Sequence, residues 1–312
     1  MQDRFLSYAL LVPAFVIVVA TTIYPLAYSF ITSFREWDLT RQRTPDDFVG
    51  LQNYAHAVAE TGFQNSLWVT VIFVVASVVL TLVLAMSLAL LLRRRGPLHT
   101  FTRIILILPF AMSPALIGVS YRFMFNPEFG VLAVGLGSIF PGLKGTPWLA
   151  DPDLAMAVLV VTDVWHWTPY MTFMCLGGLA SIPRETEEAA RIDGASGFRV
   201  IWEIVLPQMK GVLLVTAILK TIFALKMFDQ VVTLTGGGPG TSTETLAYFV
   251  FNVGFKWYDM GYASALAWIL TLIMMVISAW YVRMLLSDKN TATALKSTSF
   301  GRLNEHCYYL FP

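Results

Sequence analysis

Long apolar stretches separated by short polar segments make up most of the chain. Six of them approach or exceed the about 20 apolar residues that a helix needs to cross the hydrocarbon core of a bilayer. They are residues 6–30, 66–92, 104–125, 154–179, 212–232 and 262–286. The second stretch holds no ionisable residue from Leu67 to Leu92, whereas charged residues interrupt the fourth and the fifth. The pattern predicts an all-α membrane protein with six transmembrane helices.

The first stretch has the position of a signal peptide but not its form. Its apolar part is longer than the about 7–15 residues of a signal core. It contains Pro13 and Pro25, and no Ala-x-Ala cleavage site precedes Arg35. We therefore expect a retained transmembrane helix.

The distribution of lysine and arginine predicts which segments face the cytoplasm. One set of alternate segments carries thirteen of the 21 basic residues, whereas the other set carries five. The richer set includes Arg4, the cluster of Arg93, Arg94, Arg95 and Arg103, and the segment between the fourth and fifth stretches. Because cytoplasmic loops carry an excess of Lys and Arg, we predict that both termini lie inside the cell.

Composition excludes several classes of protein. The 312 residues are 56% hydrophobic and 13% charged, whereas soluble domains are about 45–50% apolar and about 25% charged. A disordered chain, a nucleic-acid-binding protein and most cytosolic enzymes are therefore excluded. The net charge of +1 provides no overall field for a polyanion. The two cysteines, Cys175 and Cys307, cannot form a disulfide framework.

The polar segment 182–207 has the pattern of a short helix–turn–helix. Pro183 suits a first helical turn, and the acidic residues after it suit the positive end of the helix dipole. Gly194 and Gly197 are natural helix stops, because glycine adopts backbone angles that other residues avoid.

A second short helix is predicted from Phe198 to Val205. Ile201 and Val205 are four residues apart, so both would be buried against the bundle. Pro207 would then mark the entry into the fifth span.

The same segment resembles the EAA loop of ABC importer permeases. Seven residues match that loop with every spacing intact: Glu188, Ala189, Ala190, Gly194, Ile204, Leu206 and Pro207. In that family the loop forms a coupling helix that sits in a cleft of a cytosolic ATPase subunit, and closure of the ATPases rocks the permease. The resemblance implies that Glu188 contacts the ATPase and that Gly194 makes the turn. Arg191 and Asp193 would then be flanking polar contacts.

Further motifs resemble the carbohydrate-importer branch of that family, the MalF/UgpA-like permeases. They are Phe48-Val49-Gly50-Leu51-x-Asn53-Tyr54, Trp167-x-Pro169-Tyr170, Ile192-Asp193-Gly194-Ala195-Ser196, Phe228-Asp229, Leu234-Thr235-Gly236-Gly237-Gly238-Pro239, Thr243-x-Thr245-Leu246 and Gly261-Tyr262-Ala263-Ser264-Ala265. The resemblance implies the type I ABC importer (MetI-like) permease fold for a transmembrane domain of residues 1–286. The tail 287–312 departs from the family, and we expect it to be a flexible cytoplasmic extension.

The chain itself carries no ATPase motif. It contains no Gly-Lys dipeptide, and hence no phosphate-binding P-loop. The resemblance therefore implies that ATP and Mg are used by separate ATPase subunits and that this chain binds no cofactor and is not an enzyme. It implies as partners a second permease subunit of similar fold, two ATPase subunits, an extracytoplasmic solute-binding protein and membrane lipid, but no nucleic acid.

These features predict the permease subunit of an ATP-driven, binding-protein-dependent importer in the cytoplasmic (inner) membrane of a bacterium or archaeon. The resemblance implies a sugar, or a related polyol or glycerol phosphate, moved by alternating access. One alternative is an ABC importer permease for an amino acid, peptide or oxyanion. Another is an ion-coupled secondary carrier, although such carriers commonly contain paired repeats and none is visible in the sequence.

Ionisable residues inside the predicted spans are candidates for lining a transport path, because placing them in a membrane is costly. Asp163 and His166 are three residues apart and therefore share one helix face. They could line the path, or they could form a local hydrogen-bonded pair. Trp165, Trp167 and Tyr170 lie nearby and could stack on the faces of a sugar.

Three further charged residues lie in or near the fifth span. Lys226 and Asp229 are again three residues apart, which favours an intrahelical ion pair. Asp229 also matches a family position and is a candidate path residue. Lys220 lies deeper, and an interface with the partner permease could satisfy its charge.

The segment of Gly236, Gly237, Gly238 and Pro239 follows the fifth span. No helix obviously begins on it, so phosphate binding is not indicated. Its composition predicts a short extracytoplasmic loop that contacts the binding protein or the mouth of the path. The histidines are scattered and show no metal-ligand spacing, so neither a metal site nor a catalytic residue is predicted.

Overall fold

The computed structural model describes residues 12–45, 47–93 and 96–307, with side chains up to Leu286 except those of Leu98 and Arg184. Three parts of the sequence predictions lie outside the described residues. They are the beginning of the first apolar stretch with Arg4, the pair Arg94 and Arg95, and the last residues of the tail, 308–312.

The described residues form eleven α-helices and a short 3-10 helix at Pro141–Leu143, which confirms the predicted all-α class. The α-helices are α1 (Val12–Thr32), α2 (Gln52–Ala59), α3 (Thr61–Leu92), α4 (Pro97–Ala111), α5 (Pro114–Met124), α6 (Val131–Ile139), α7 (Pro152–Ala180), α8 (Arg184–Ile192), α9 (Gly197–Leu225), α10 (Leu246–Lys256) and α11 (Met260–Cys307). Single π-helical turns occur inside α1, α9 and α10, and one more spans Val231–Thr235. The backbone of α11 continues as a helix to Cys307, which differs from the expected flexible tail. Residues 287–307 contain no proline that would end the helix.

Among the described residues, four helices are long and apolar enough to cross a membrane: α1, α3, α9 and α11. The bent pair α4 and α5 raises the number to five if it forms one span. The predicted number of six is not confirmed. Helix α7 has 29 residues and is long enough, but Asp163, His166 and several aromatic residues lower its apolar content.

The third predicted span, residues 104–125, is not one straight helix. Helices α4 and α5 meet at a bend of 95°. Proline cannot continue a helical hydrogen-bond ladder, and it disfavours helical angles in the residue before it. Pro109 lies in the last turn of α4 and Pro114 begins α5, with the extended residue Met112 at the C-cap of α4. The two prolines therefore explain a break that an apolar stretch alone does not indicate.

The chain divides into two compact units, each made of three separate segments. Unit 1 is Met1–Ile72, Gly118–Leu159 and Met227–Leu272, and unit 2 is Phe73–Ile117, Val160–Lys226 and Ile273–Pro312. Helices α3, α5, α7 and α11 contribute residues to both units.

Unit 1 is held by polar contacts to the backbone and by ring contacts. The amide nitrogen of Asn53 donates to the backbone carbonyl of Ser33 at 3.0 Å. The ring of Phe30 in α1 packs edge-on against Trp268 in α11, with centroids 4.9 Å apart. These contacts bring elements that are distant in sequence together in one unit.

Unit 2 has a continuous apolar core made by three long helices. Helix α3 contributes Ala85, Met86 and Ala89, α7 contributes Met171, Cys175 and Leu179, and α9 contributes Val200, Val205 and Met209. The small residues of α3 allow the helix backbones to approach closely, which is the usual basis of helix packing in membranes.

Gly118 of α5 permits a close approach in unit 1, which leads to a testable prediction. A Cβ atom at Gly118 would overlap the side chain of Thr233 and lie 3.3 Å from the backbone of Gln230. We expect Gly118→Ala to lower stability by about 1–3 kcal/mol, because a packed interior resists added volume. The thermal unfolding midpoint of the purified protein in detergent measures this.

Gly135→Ala is the matched control, because Gly135 also lies in a helix but a Cβ atom added there would meet no other atom within 4 Å. Alanine there should leave the midpoint unchanged or raise it, since glycine disfavours helices by roughly 0.5–1 kcal/mol. Equal losses in both variants would contradict the packing explanation.

Candidate functional site

The segment 182–207 lies in unit 2 and begins with the predicted short helix. Pro183 is the N-cap of α8, and Glu185 and Glu187 lie in its first turn. The helix ends at Ile192, and Gly194 follows with φ +86°. Since only glycine adopts this angle without strain, the predicted turn at Gly194 is confirmed.

The second half of the segment differs from the prediction. Gly197 is not a stop but the first residue of α9, and the Ser196 hydroxyl caps it by accepting from the Arg199 amide at 3.3 Å. Helix α9 then continues without interruption to Leu225. A π-helical turn precedes Pro207, so the chain tolerates this proline inside a continuous helix rather than at the start of a new one. The segment is thus one short helix, a turn and the first turns of a long helix.

The π-helical turn also changes which residues are buried. Val200 and Val205 are buried in the core of unit 2, whereas Ile201, predicted to be buried with Val205, is only half-buried. A helix with regular spacing would have placed Ile201 and Val205 on one face. A π-helical turn has a wider repeat, which breaks that spacing.

The outer face of the segment is exposed and contains large apolar side chains. Ile192 is 87% exposed, Phe198 72% and Trp202 58%. The rings of Phe198 and Trp202 lie 5.8 Å apart between centroids. Among the family-matched residues, Glu188, Ala189, Arg191, Asp193, Gly194 and Pro207 are exposed, whereas Ala190, Ile204 and Leu206 are half-buried. An exposed apolar patch of this kind is typical of a surface that binds another protein. We name Ile192, Phe198 and Trp202 the loop patch.

An ion pair that sequence reasoning missed anchors α8. Glu187 is buried and binds Arg93, which lies directly after α3. Arg103 of α4 donates to the carbonyl of Leu92, the last residue of α3. In the sequence, the basic residues of segment 93–103 and the acidic first turn of α8 were visible, but neither pattern indicates which charges pair. The short helix is therefore attached to the end of α3, which Arg103 in turn connects to α4.

A second ion pair lies among the long helices of unit 2. Lys220 of α9 and Ser77 of α3 both donate to the same carboxylate oxygen of Asp163 in α7, and all three residues are fully buried. The other oxygen, Oδ1, has no hydrogen-bond partner among the described residues. This arrangement corrects two predictions. Asp163 is bound by other helices rather than only by His166 of its own helix, and Lys220 is neutralised within this chain rather than by a partner permease.

The candidate path aromatics separate into two groups. Trp167 stacks on Phe223 with ring centroids 4.1 Å apart, and Tyr170 stacks on Phe110 at 4.9 Å. The Lys220 ammonium lies 5.9 Å from the Trp167 ring. Trp165 lines an apolar cavity of about 370 Å³. The structure therefore brings Trp167 near Lys220, Tyr170 onto Phe110, and Trp165 to the wall of the apolar cavity.

The helical spacing assumed for Lys226 and Asp229 is absent. Helix α9 ends at Leu225, and Lys226 is its C-cap. Lys226 is exposed, and Asp229 lies in a separate helical segment that does not continue α9. Since no helical turn connects Lys226 and Asp229, their spacing in the sequence does not support an intrahelical ion pair.

The glycine-rich segment after Val231–Thr235 is a tightly bonded loop of unit 1. Gly236, Gly237 and Gly240 have positive φ angles. The Thr243 hydroxyl contacts the hydroxyl of Thr235 and the carbonyl of Gly238, each at 2.8 Å. Gly237 is buried beside the Tyr248 ring, whereas Gly238 and Pro239 are half-buried and Gly236 is exposed.

The acidic side chain of Glu244 lies beside this loop, next to Gly237. Burial raises the pKa of the Glu244 carboxyl, and its hydrogen bond from Asn252 at 2.6 Å opposes part of that shift. Within the described part of the chain, no three His, Cys, Asp or Glu side chains are grouped so that they could hold a metal ion.

Comparison with known proteins connects these features to a family. Residues 78–286 match the family described as "Binding-protein-dependent transport system inner membrane component". The sulfoquinovosyl glycerol transport system permease protein SmoG of Agrobacterium fabrum is 35% identical, with 91% of each chain covered. The sn-glycerol-3-phosphate transport system permease protein UgpA of Brucella suis biovar 1 is 35% identical over 90% of this chain and 94% of its own length.

A solved structure shares the fold. It is the crystal structure of a bacterial ABC transporter involved in the import of the acidic polysaccharide alginate. One chain of it matches with a TM-score of 0.79 at 18% identity, covering 91% of this chain and 96% of that chain.

The buried pair leads to a second prediction. We expect Lys220→Met to lower the stability of the protein in detergent by about 3–5 kcal/mol, because the Asp163 carboxylate would remain buried without its counter-charge. Adding Asp163→Asn should recover more than half of the loss, since the double variant carries neither charge of this pair. Thermal unfolding midpoints of the three proteins measure the coupling.

Lys226→Met is the matched control, because Lys226 is an exposed lysine at the end of the same helix. It should change stability by no more than about 0.5 kcal/mol. A double variant as unstable as Lys220→Met alone would argue against the pair as the source of the effect.

Proposed function

Because the chain belongs to the family of binding-protein-dependent transport system inner membrane components, we propose that it is the transmembrane permease subunit of an ATP-driven importer. It moves its solute by alternating access, together with a second permease subunit. The proposal rests on one observation about the segment 182–207. One face of this segment is exposed, while the opposite, inner face is packed in the apolar core of unit 2.

The loop patch is the proposed contact with an ATPase subunit. Burying apolar side chains that are 58–87% exposed in this chain would favour association with another protein. Glu188 and Asp193 add acidic groups on the same exposed segment, while Ala189 adds little bulk. The inner face of the segment would transmit movement of the ATPase subunit to the long helices, because Glu187, Val200 and Val205 connect the segment to α3 and α7.

The orientation of the chain follows from this contact. The segment 182–207 would face the cytoplasm, where ATP is available, and the excess of basic residues on the same side agrees with that placement. The glycine-rich loop would then face outward, where its exposed residue Gly236 is available to a solute-binding protein.

The proposed solute is a sugar or glycoside, or a related polyol or glycerol phosphate. Two relatives at 35% identity over nine-tenths of the chain are named for a sulfoquinovosyl glycerol and an sn-glycerol-3-phosphate transport system. The stacked rings of Trp167 with Phe223 and of Tyr170 with Phe110 support this class. Aromatic faces are suitable surfaces for the apolar faces of a sugar ring. Identifying the solute that the cognate binding protein retains on purification tests this assignment.

Gly194→Asp provides the test of coupling. Gly194 is exposed with a positive φ angle, and a Cβ atom added there would meet no heavy atom of the described residues within 4 Å beyond its chain neighbours. We therefore expect the variant to insert and assemble normally but to lose ATP hydrolysis stimulated by the loaded binding protein, because the carboxylate and the altered turn would disturb the docked surface. Hydrolysis by the reconstituted complex is the measurement.

Gly145→Asp is the matched control. Gly145 also has a positive φ angle and open space around it, but it lies in the loop after α6, on the side predicted to face outward. Stimulated hydrolysis should remain within about twofold of the wild type, a change of less than about 0.5 kcal/mol. Full activity of Gly194→Asp would exclude the proposed docking surface.

A further inference from the structure

A cavity of about 430 Å³ lies within unit 2, beside the end of α3, the middle of α4 and the last turns of α7. Among the described residues, Arg93 and Arg103 are the charged side chains that line it. The last turns of α7 supply the remainder of the wall, including Phe173, Leu176 and Ala180. The cavity is large enough for a small ligand group, since ligand pockets are commonly about 300–1,000 Å³.

The two arginines retain unused capacity to bind an anion. Arg93 is paired with Glu187, and Arg103 donates to the carbonyl of Leu92, a neutral acceptor. The Nε atom of Arg103 is buried and has no hydrogen-bond partner in the part of the chain that the structure describes. No acidic side chain is among the described residues that line the cavity, so the Arg103 guanidinium gives it a net positive charge. A buried donor without an acceptor costs free energy, so an anion with several oxygen atoms would stabilise the site.

We propose that this cavity binds the phosphate of an anionic phospholipid headgroup from the cytoplasmic leaflet. Phosphate oxygens match the planar fork of an arginine, which can donate two parallel hydrogen bonds. The cavity lies where the apolar helix α3 ends, at Leu92, which is the level at which headgroups meet a transmembrane helix. Basic pockets between helices on this side of a membrane are known to suit anionic headgroups.

The surroundings favour a lipid over a free phosphate ion. Next to Arg103, the side chains of Phe101, Ile104 and Ile105 on α4 are exposed and apolar. A lipid could place its acyl chains along this surface while its headgroup enters the cavity. A free ion would gain only the polar contacts and would lose its hydration.

The placement in the cytoplasmic leaflet rests on the orientation in the proposed function. The binding itself does not depend on coupling to an ATPase. The experiment therefore measures lipid retention and not transport, so that failure of one proposal is distinguishable from failure of the other.

The complete importer complex is reconstituted in nanodiscs of equimolar phosphatidylglycerol and phosphatidylcholine, and retained lipid is quantified by native mass spectrometry after the disc is dissolved. We expect the wild type to retain phosphatidylglycerol preferentially. Arg103→Gln should reduce that preference by roughly tenfold, the loss expected for a hydrogen bond to a charged group. Arg103 is substituted rather than Arg93, because Arg93 also holds Glu187.

Two variants control for charge and folding. Arg283→Gln removes the same charge from α11, away from the cavity, and should keep the wild-type preference. Arg103→Lys keeps the charge and a donor for the Leu92 carbonyl but loses the planar fork, so we expect intermediate retention. Equal retention of the two lipids by the wild type, or an unchanged preference in Arg103→Gln, would overturn the proposal.

Inorganic phosphate distinguishes the source of the anion. In nanodiscs of phosphatidylcholine alone, equilibrium dialysis with labelled phosphate should detect no binding that depends on Arg103. Phosphate binding that is lost in Arg103→Gln, without a preference for phosphatidylglycerol, would overturn the assignment to a lipid.

Discussion

The buried contact between Asp163 and Lys220 constrains how the long helices of unit 2 pack. A membrane interior provides no water to solvate either charge, so each group must find its partner inside the protein. The pair joins α7 to α9, and Ser77 adds α3 to the same carboxylate. The three helices that share these polar groups also form the apolar core of unit 2. Polar and apolar contacts thus select the same arrangement of helices.

The segment 182–207 uses this core as its support. Val200 and Val205 are buried among α3 and α7, and the ion pair of Glu187 with Arg93 holds the short helix. The opposite face keeps Ile192, Phe198 and Trp202 exposed. A rigid inner attachment with an exposed apolar outer face is the arrangement needed to carry a force from a docked subunit into a helix bundle. In the proposed importer, the anchoring residues would matter as much as the contacts themselves.

Several local features were predictable because they depend on neighbours in sequence. The turn at Gly194 follows from the backbone freedom of glycine, and the acidic first turn of α8 follows from the helix dipole. The same kind of reasoning failed where a helix was irregular. It placed Ile201 on the buried face and joined Lys226 to Asp229, because it assumed a constant repeat of 3.6 residues. A π-helical turn and a helix end at Leu225 broke that repeat. The bend between α4 and α5 was missed for a related reason, since hydropathy averages over the prolines that cause it.

The sequence by itself determined the all-α membrane class, and its motifs identified the segment 182–207 as similar to the EAA loop. Both were readable because apolar length, charge bias and short motifs are properties of contiguous residues. Only the tertiary structure decided which charges pair and which aromatic rings meet. Ser77, Asp163 and Lys220 lie far apart along the chain, and no local pattern indicates that one carboxylate binds the other two side chains. The same holds for Arg93 with Glu187 and for the cavity beside Arg103. Such contacts arise when helices pack, and burial in a medium of low polarity then makes each partner necessary to the other.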